Sequence, residues 1–289
     1  MKYTGLDTGR SLTIKALIFS HIIPAIMLAL AADTFAAIPL ITDDTGTQGK
    51  GNFQLELFGR YGNDSEETIT AKTGDLSVTL TYGLFNNVDL IFSVPYVSVR
   101  TEEPGPIIKE AALSAVQCEA KWRFYDHENW SFALKPGLTI PTWDKRRGLG
   151  AGKATYHILF ITTYNSGEEK YAPEGRRIES PEEKAVHHVE WALHLNADYI
   201  RNVNAAEERK NLWLFSVAGE IEFIEDFRLV ADMGIGTNPH RNSGTPPAYI
   251  LGGLIYSLRE NLDFGLGVEG GLTKPATDIS VRGGITFRF

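Results

Sequence analysis

From Phe53 onward the chain alternates apolar and polar residues with a period of two, and polar or glycine-rich connections interrupt the alternation at short intervals. A period of two places successive side chains on opposite faces of a strand. Twelve strands are predicted on this basis, starting near Phe53, Thr73, Val88, Leu113, Trp130, Ala154, His187, Asn211, Phe227, Ala248, Leu262 and Ile279. Leu76, Val78, Leu80 and Tyr82 share one face, opposed by Ser77, Thr79 and Thr81. In the fourth strand Val116, Cys118, Ala120, Trp122 and Phe124 oppose Gln117, Glu119, Lys121, Arg123 and Tyr125. Val281, Gly283, Ile285, Phe287 and Phe289 form one face of the last strand. No heptad or long helical stripe competes with this pattern.

The connections alternate in length. Short ones at 83–87, 126–129, 225–226 and 259–261 separate longer polar ones at 63–72, 100–112, 142–153, 201–210, 237–247 and 273–278. Short periplasmic turns alternating with longer outer loops, around an even number of strands, are the pattern of a membrane barrel. The charged segment 165–186 breaks the rule, being long on the short-turn side, and reads as a periplasmic insertion. The expected fold is all-β, a transmembrane antiparallel up-and-down β-barrel of about twelve strands. A secreted β-sandwich has the same strand pattern but buries the apolar face in a core. Tyr82, Phe85, Trp122, Phe124, Trp130, Phe227, Phe287 and Phe289 gather beside the short turns, where an interfacial girdle belongs, and this favours the membrane.

The first 36 residues change the picture from fold to address. Lys2, Arg10 and Lys15 precede an apolar run over 16–31 and a small-residue site ending at Ala36, the build of a secretory signal peptide. The run is shorter than the roughly 20 residues a spanning helix needs. Residues 1–36 are therefore read as a leader and 37–289 as the barrel, delivered to the bacterial outer membrane after export through the inner one. The formal net charge of −8 and the lack of a basic cluster argue against nucleic acid as a partner. Cys118 is the only cysteine, so no intrachain disulfide can form.

Candidate chemistry is sparse. The Gly148–Lys153 stretch lacks phosphate-loop spacing and reads as an outer loop; its neighbours Lys145, Arg146 and Arg147 can attract anionic substrates or lipopolysaccharide phosphates but read better as an ordinary charged loop. His188, Glu190 and His194 share a face, yet the two histidines lie about 20 Å apart along a strand, too far for one ion. His157, on a wall with Thr155 and Thr163, is the one candidate base for a surface hydrolase, but no nucleophile motif accompanies it. No catalytic, metal or cofactor site is therefore assigned, and the chain is read as a non-enzyme. The inward set is charged, and its candidate lumen-lining members are Glu56, Arg60, Glu119, Lys121, Arg123, Lys135, Glu190, His194, Asp198, Glu220, Arg228, Asp232, Glu269 and Arg282. Mixed signs in a narrow interior must be paired to be tolerated, and Arg288 with Asp263 is one expected pair.

Tyr82-Gly83-Leu84, Asn86-Asn87-Val88-Asp89-Leu90, Val94-Pro95-Tyr96 and Leu138-Thr139-Ile140-Pro141-Thr142-Trp143-Asp144, followed by the glycine-rich loop, resemble the outer-membrane transporters named after the meta-pathway of phenol degradation. The resemblance runs through most of the chain after the leader. Trp143, and the segment 165–186, depart from that family's pattern. It implies a passive channel or facilitator for small aromatic or hydrophobic molecules, with outer-membrane lipid and a small solute as partners. It also implies that Phe287 and Phe289 form the signal read by the barrel assembly machinery. A structural barrel with a plugged lumen is the alternative, and an outer-membrane hydrolase follows it.

Overall fold

A computed structural model describes residues 37–66, 69–102, 107–140, 154–166, 190–202 and 208–289. The expected leader, the basic and glycine-rich stretch 145–153, His187, His188 and most of the segment 165–186 lie outside the described residues. Thirteen strands follow in order: β1 (Phe53–Glu66), β2 (Ile69–Phe85), β3 (Val88–Glu102), β4 (Ile108–Leu113), β5 (Val116–His127), β6 (Trp130–Ile140), β7 (Thr155–Asn165), β8 (Trp191–Arg201), β9 (Asn211–Ile224), β10 (Phe227–Gly236), β11 (Ala248–Arg259), β12 (Leu262–Gly271) and β13 (Ile279–Arg288). Every pairing is antiparallel, and β1 pairs with both β2 and β13, which closes the sheet.

Thirteen strands occupy twelve positions. β4 runs along Tyr96–Thr101 of β3 and β5 along Val88–Ser93 of the same strand, so β4 and β5 are one barrel strand broken at Ser114–Ala115. The break faces Pro95, which has no N–H to donate and offers only its carbonyl, to the Ser114 amide at 2.8 Å. Hairpin pairing also extends further than the sequence suggests. β1 and β2 pair out to Glu66 and Ile69, and β3 and β4 out to Thr101 and Ile108, so the loops expected at 63–72 and 100–112 are largely strand. Alternation among Thr, Ser, Lys and Glu carries little hydrophobic signal, yet the ladder continues through it.

The faces are those of a membrane barrel. Leu76 is 62% exposed, and Val78 and Leu80 are exposed beside it, whereas Ser77, Thr79 and Thr81 are buried. Tyr125 is a correction. A bulge between Arg123 and Tyr125 pairs Tyr125 with Phe132 on the outer wall, where their rings stand 5.3 Å apart, instead of facing it inward. One extra residue in a strand flips everything beyond it to the other face.

Twelve strands about 4.8 Å apart, tilted by about 40°, close at a backbone radius of about 12 Å. A side-chain layer about 5 Å thick then leaves a bore about 7 Å in radius, wide enough for one extended chain. Residues 37–52 fill that role. Ile38, Leu40, Ile41, Thr42, Asp43 and Thr45 are all buried, and the segment reaches the short-turn end at Gly51, whose N–H donates to the Gly83 carbonyl at 2.8 Å. We call it the strap.

Candidate functional site

The wall is shaped to receive the strap. Inward positions on β11 and β12 are glycines where the strap begins: a Cβ on Gly265 would stand 1.9 Å from the Ile38 carbonyl oxygen, and one on Gly253 or Gly267 within 3 Å of Pro39 Cγ. Leu40 then packs on an apolar floor of Ala218, Val230, Leu251 and Ile255. Asp232, on β10, receives the next turn. Its Oδ2 accepts the Ile41 and Thr42 amides, each at 2.7 Å, and its Oδ1 accepts the Thr42 and Tyr249 hydroxyls at 2.8 and 3.1 Å. A carboxylate with four donors is well satisfied away from water.

The strap then crosses the lumen. Asp43, fully buried, meets two lysines from neighbouring strands: Lys135 Nζ at 2.7 Å and Lys121 Nζ at 2.9 Å. The Thr45 amide donates to Thr163 Oγ1 at 3.2 Å and its hydroxyl meets that of Ser131. The Gln48 amide reaches Asp89 at 3.0 Å before the chain turns into β1. Three of the strap's partners, Asp232, Lys121 and Lys135, were candidate lumen residues in the sequence, but the strap itself was not.

The remaining inward charges form further sets. Glu119 on β5 and Asp198 on β8 flank His157, at 3.0 Å from Nε2 and 3.5 Å from Nδ1, and Lys135 lies 3.7 Å from Glu119. The imidazole lies over Gly137, where a Cβ would collide with it. Both ring nitrogens face carboxylates, so His157 has no nitrogen turned to a nucleophile as a hydrolase base requires. Towards the short-turn end, His194 links Thr163 Oγ1 at 2.9 Å to Glu220 at 3.5 Å. The Thr163 oxygen already accepts the strap amide, which makes this row a brace. Arg228 bridges Glu220 at 2.9 Å and Asp263 at 3.5 Å, and Arg288 meets Asp263 at 2.9 Å. Arg60 pairs with Asp75 at 2.5 Å, and Arg282 with Glu269 at 3.2 Å while lying over the Phe58 ring.

Glu56 is buried near the strap end of β1, and Glu190 lines a cavity of about 510 Å³ at the short-turn mouth together with Glu220, Glu222, Arg228 and Arg259. Arg123 pairs with Asp126 of its own strand at 3.3 Å. Phe287 and Phe289 stack at 5.5 Å on the outer wall, with Phe53 stacked on Phe289 at 5.6 Å. Among the described residues no group of three or more His, Cys, Asp or Glu side chains is arranged to hold a metal ion.

No family model matches the chain, and no curated relative does. Among solved structures it is similar to the COG4313 outer membrane channel from Pseudomonas putida F1, at 12% identity over 85% of this chain and 98% of that one, with a TM-score of 0.59. It is also similar to the transport unit of the autotransporter AIDA-I from Escherichia coli, at 10% identity over 93% and 98% of the two chains, with a TM-score of 0.50. The fold is that of an outer-membrane barrel. At these identities the likeness extends to fold alone, and the phenol meta-pathway family rests on the resemblance of the turn motifs.

Proposed function

We propose that the chain is an outer-membrane channel for small molecules, with a lumen narrowed by the strap. The observation that carries this reading is the inverted wall: apolar residues outside, and inside a set of paired charges lining a bore that, among the described residues, only the strap crosses. Interior charges in such number serve a wetted path better than a dry core, where hydrophobic residues would be as stable. The lumen also has apolar panels, Ala133, Leu159 and Ile161 on one side and the floor under Leu40 on another. Both are covered while the strap is seated, so the expectation of solutes with an aromatic or hydrophobic body rests on the resemblance. The leader at 1–36 supplies export and the terminal aromatics recognition by the assembly machinery.

The test is solute flux into liposomes carrying the purified protein, with size-matched neutral, charged and aromatic compounds. Faster entry of the aromatic compound than of a sugar of similar size is expected. Preference for the sugar would overturn the substrate class, and no flux of any compound would overturn the channel. The strap itself favours a second reading, a structural barrel with a plugged lumen, which predicts that absence of flux.

A further inference from the structure

The outer wall carries a feature that the lumen does not explain. Across β8, β9 and β10, on the half of the wall towards the long loops, small outward residues Ala197 and Val217 form the floor of an apolar hollow of about 640 Å³. Its sides are Leu195, Phe215, Met233 and Ile235, and hardly any polar surface enters it. Strand register extends this hollow upward in a column. Ala197 pairs with Phe215, then Tyr199 with Trp213, then Arg201 with Asn211, all on the same outward face. The Tyr199 and Trp213 rings lie 4.8 Å apart, and Trp213 stacks on Phe215 at 6.4 Å. At the top, Arg201 and the Tyr199 hydroxyl both donate to Asn211 Oδ1, at 2.5 and 3.0 Å, so the guanidinium is held at the rim.

Over 202–210 and 237–247 the sequence carries Arg209, Lys210 and Arg241 against Glu207 and Glu208, an excess of one cation to which Arg201 adds a second. Residues 208–210 and 237–247 are tied together by a bridge between Glu208 and His240 and by Arg209, whose guanidinium donates to the carbonyls of Asn238 and Ser243. Lys210 and Arg241 are exposed on them, and Glu208 is the one acid among their described residues. On the β2–β3 rim the cations are already engaged: Glu102 takes both Lys72 at 3.1 Å and Arg100 at 2.9 Å. An apolar hollow at acyl depth, an aromatic pair at the interface and an excess of cations at the rim match, level by level, a lipid with a phosphorylated headgroup.

We propose that this column is a binding site for a phosphorylated, multiply acylated glycolipid of the outer leaflet, with an acyl chain in the hollow and a phosphate at Arg201. Guanidinium pairs with phosphate in a bidentate geometry that a zwitterionic headgroup, carrying its own ammonium, satisfies less well. The site faces away from the lumen and stands apart from the channel reading.

Native mass spectrometry of the intact mature protein, exchanged from detergent into mixed micelles with diphosphoryl lipid A, its dephosphorylated form or phosphatidylethanolamine, tests it. The diphosphoryl lipid should be retained at least about tenfold better than either of the others. Arg201→Gln with Lys210→Gln should abolish the preference for phosphate, and Ala197→Phe, which fills the hollow, should reduce retention of all acylated probes. Inorganic phosphate at millimolar concentration should not displace the lipid. Equal retention of the three lipids, or unchanged retention by Arg201→Gln/Lys210→Gln and by Ala197→Phe, would overturn the proposal. Displacement by phosphate alone would mean a free-anion site, and a change in oligomeric mass with Ala197→Phe would mean a contact between copies; either result also overturns it. Solute flux of these variants should equal that of the parent, which keeps this outcome separate from that of the channel.

Discussion

Replacing Asp43 by Asn tests what holds the strap in the lumen. The substitution keeps size and one acceptor but removes the charge between Lys121 Nζ at 2.9 Å and Lys135 Nζ at 2.7 Å. Lys135 keeps Glu119 at 3.7 Å and Lys121 keeps the Asp44 carbonyl at 3.0 Å, so neither ammonium is abandoned completely. Removing one partner of a buried ion pair costs about 3–5 kcal/mol, and this residual pairing places the cost near the lower end. About 3 kcal/mol is about two powers of ten in an equilibrium constant. The penalty falls on the seated strap alone, because in the withdrawn state the lysines are hydrated, so the population with the strap out rises by that factor. The assay is thiol labelling. With Cys118→Ser as background and Leu40→Cys as reporter, a small water-soluble maleimide should react about a hundredfold faster in the Asp43→Asn protein when opening is fast relative to labelling. Leu40 lies outside the polar anchors and is buried against Ala218, Val230, Leu251 and Ile255. An unchanged labelling rate in a protein that still shows the heat-dependent gel shift of a barrel would refute the reasoning.

Gly265→Ala should release the strap from its other end, since the added Cβ would stand 1.9 Å from the Ile38 carbonyl oxygen; the same reporter should label faster while the barrel stays folded. His157→Gln should lower the urea midpoint of the barrel, because Glu119 and Asp198, both buried, lose the imidazole set between them, at a cost of about 1–3 kcal/mol. Val78→Arg, an exposed position on the outer wall, should reduce stability in bilayers by about 2–4 kcal/mol if it faces the membrane midplane. A neutral result there, the usual outcome for an exposed site in a soluble sandwich, would remove the membrane from the account.

The strand plan was legible because a barrel writes its two faces into the sequence at period two, and the starts at Phe53, Val88, Trp130, Asn211, Phe227, Ala248, Leu262 and Ile279 coincide with those of the structure. Segments whose alternation lacks apolar contrast were less legible. Ile69–Lys72 and Ile108–Ala112 pair as strands although their sequence reads as loop. Tyr125 shows the other failure, since a bulge leaves no trace in residue type. Pairing of Arg288 with Asp263 followed from adjacency of the last two strands, while His157 between Glu119 and Asp198 required knowing which strands stand two and one positions away. The strap was missed because its residues have no periodicity. Its trace was indirect: an acidic pair, Asp43-Asp44, between the leader and the first strand, and inward positions at Gly253, Gly265 and Gly267 with nothing to fill the bore.

Planar-bilayer conductance of the mature protein beside a variant lacking residues 37–50 tests the central claim most directly. Both should insert and shift on gels, because β1 and its pairing with β2 and β13 are untouched. The parent should pass a small current and the shortened protein a current several-fold larger, as a bore about 7 Å in radius is cleared. Equal conductance of the two proteins, or none from either, would contradict a channel narrowed by its own amino-terminal strap.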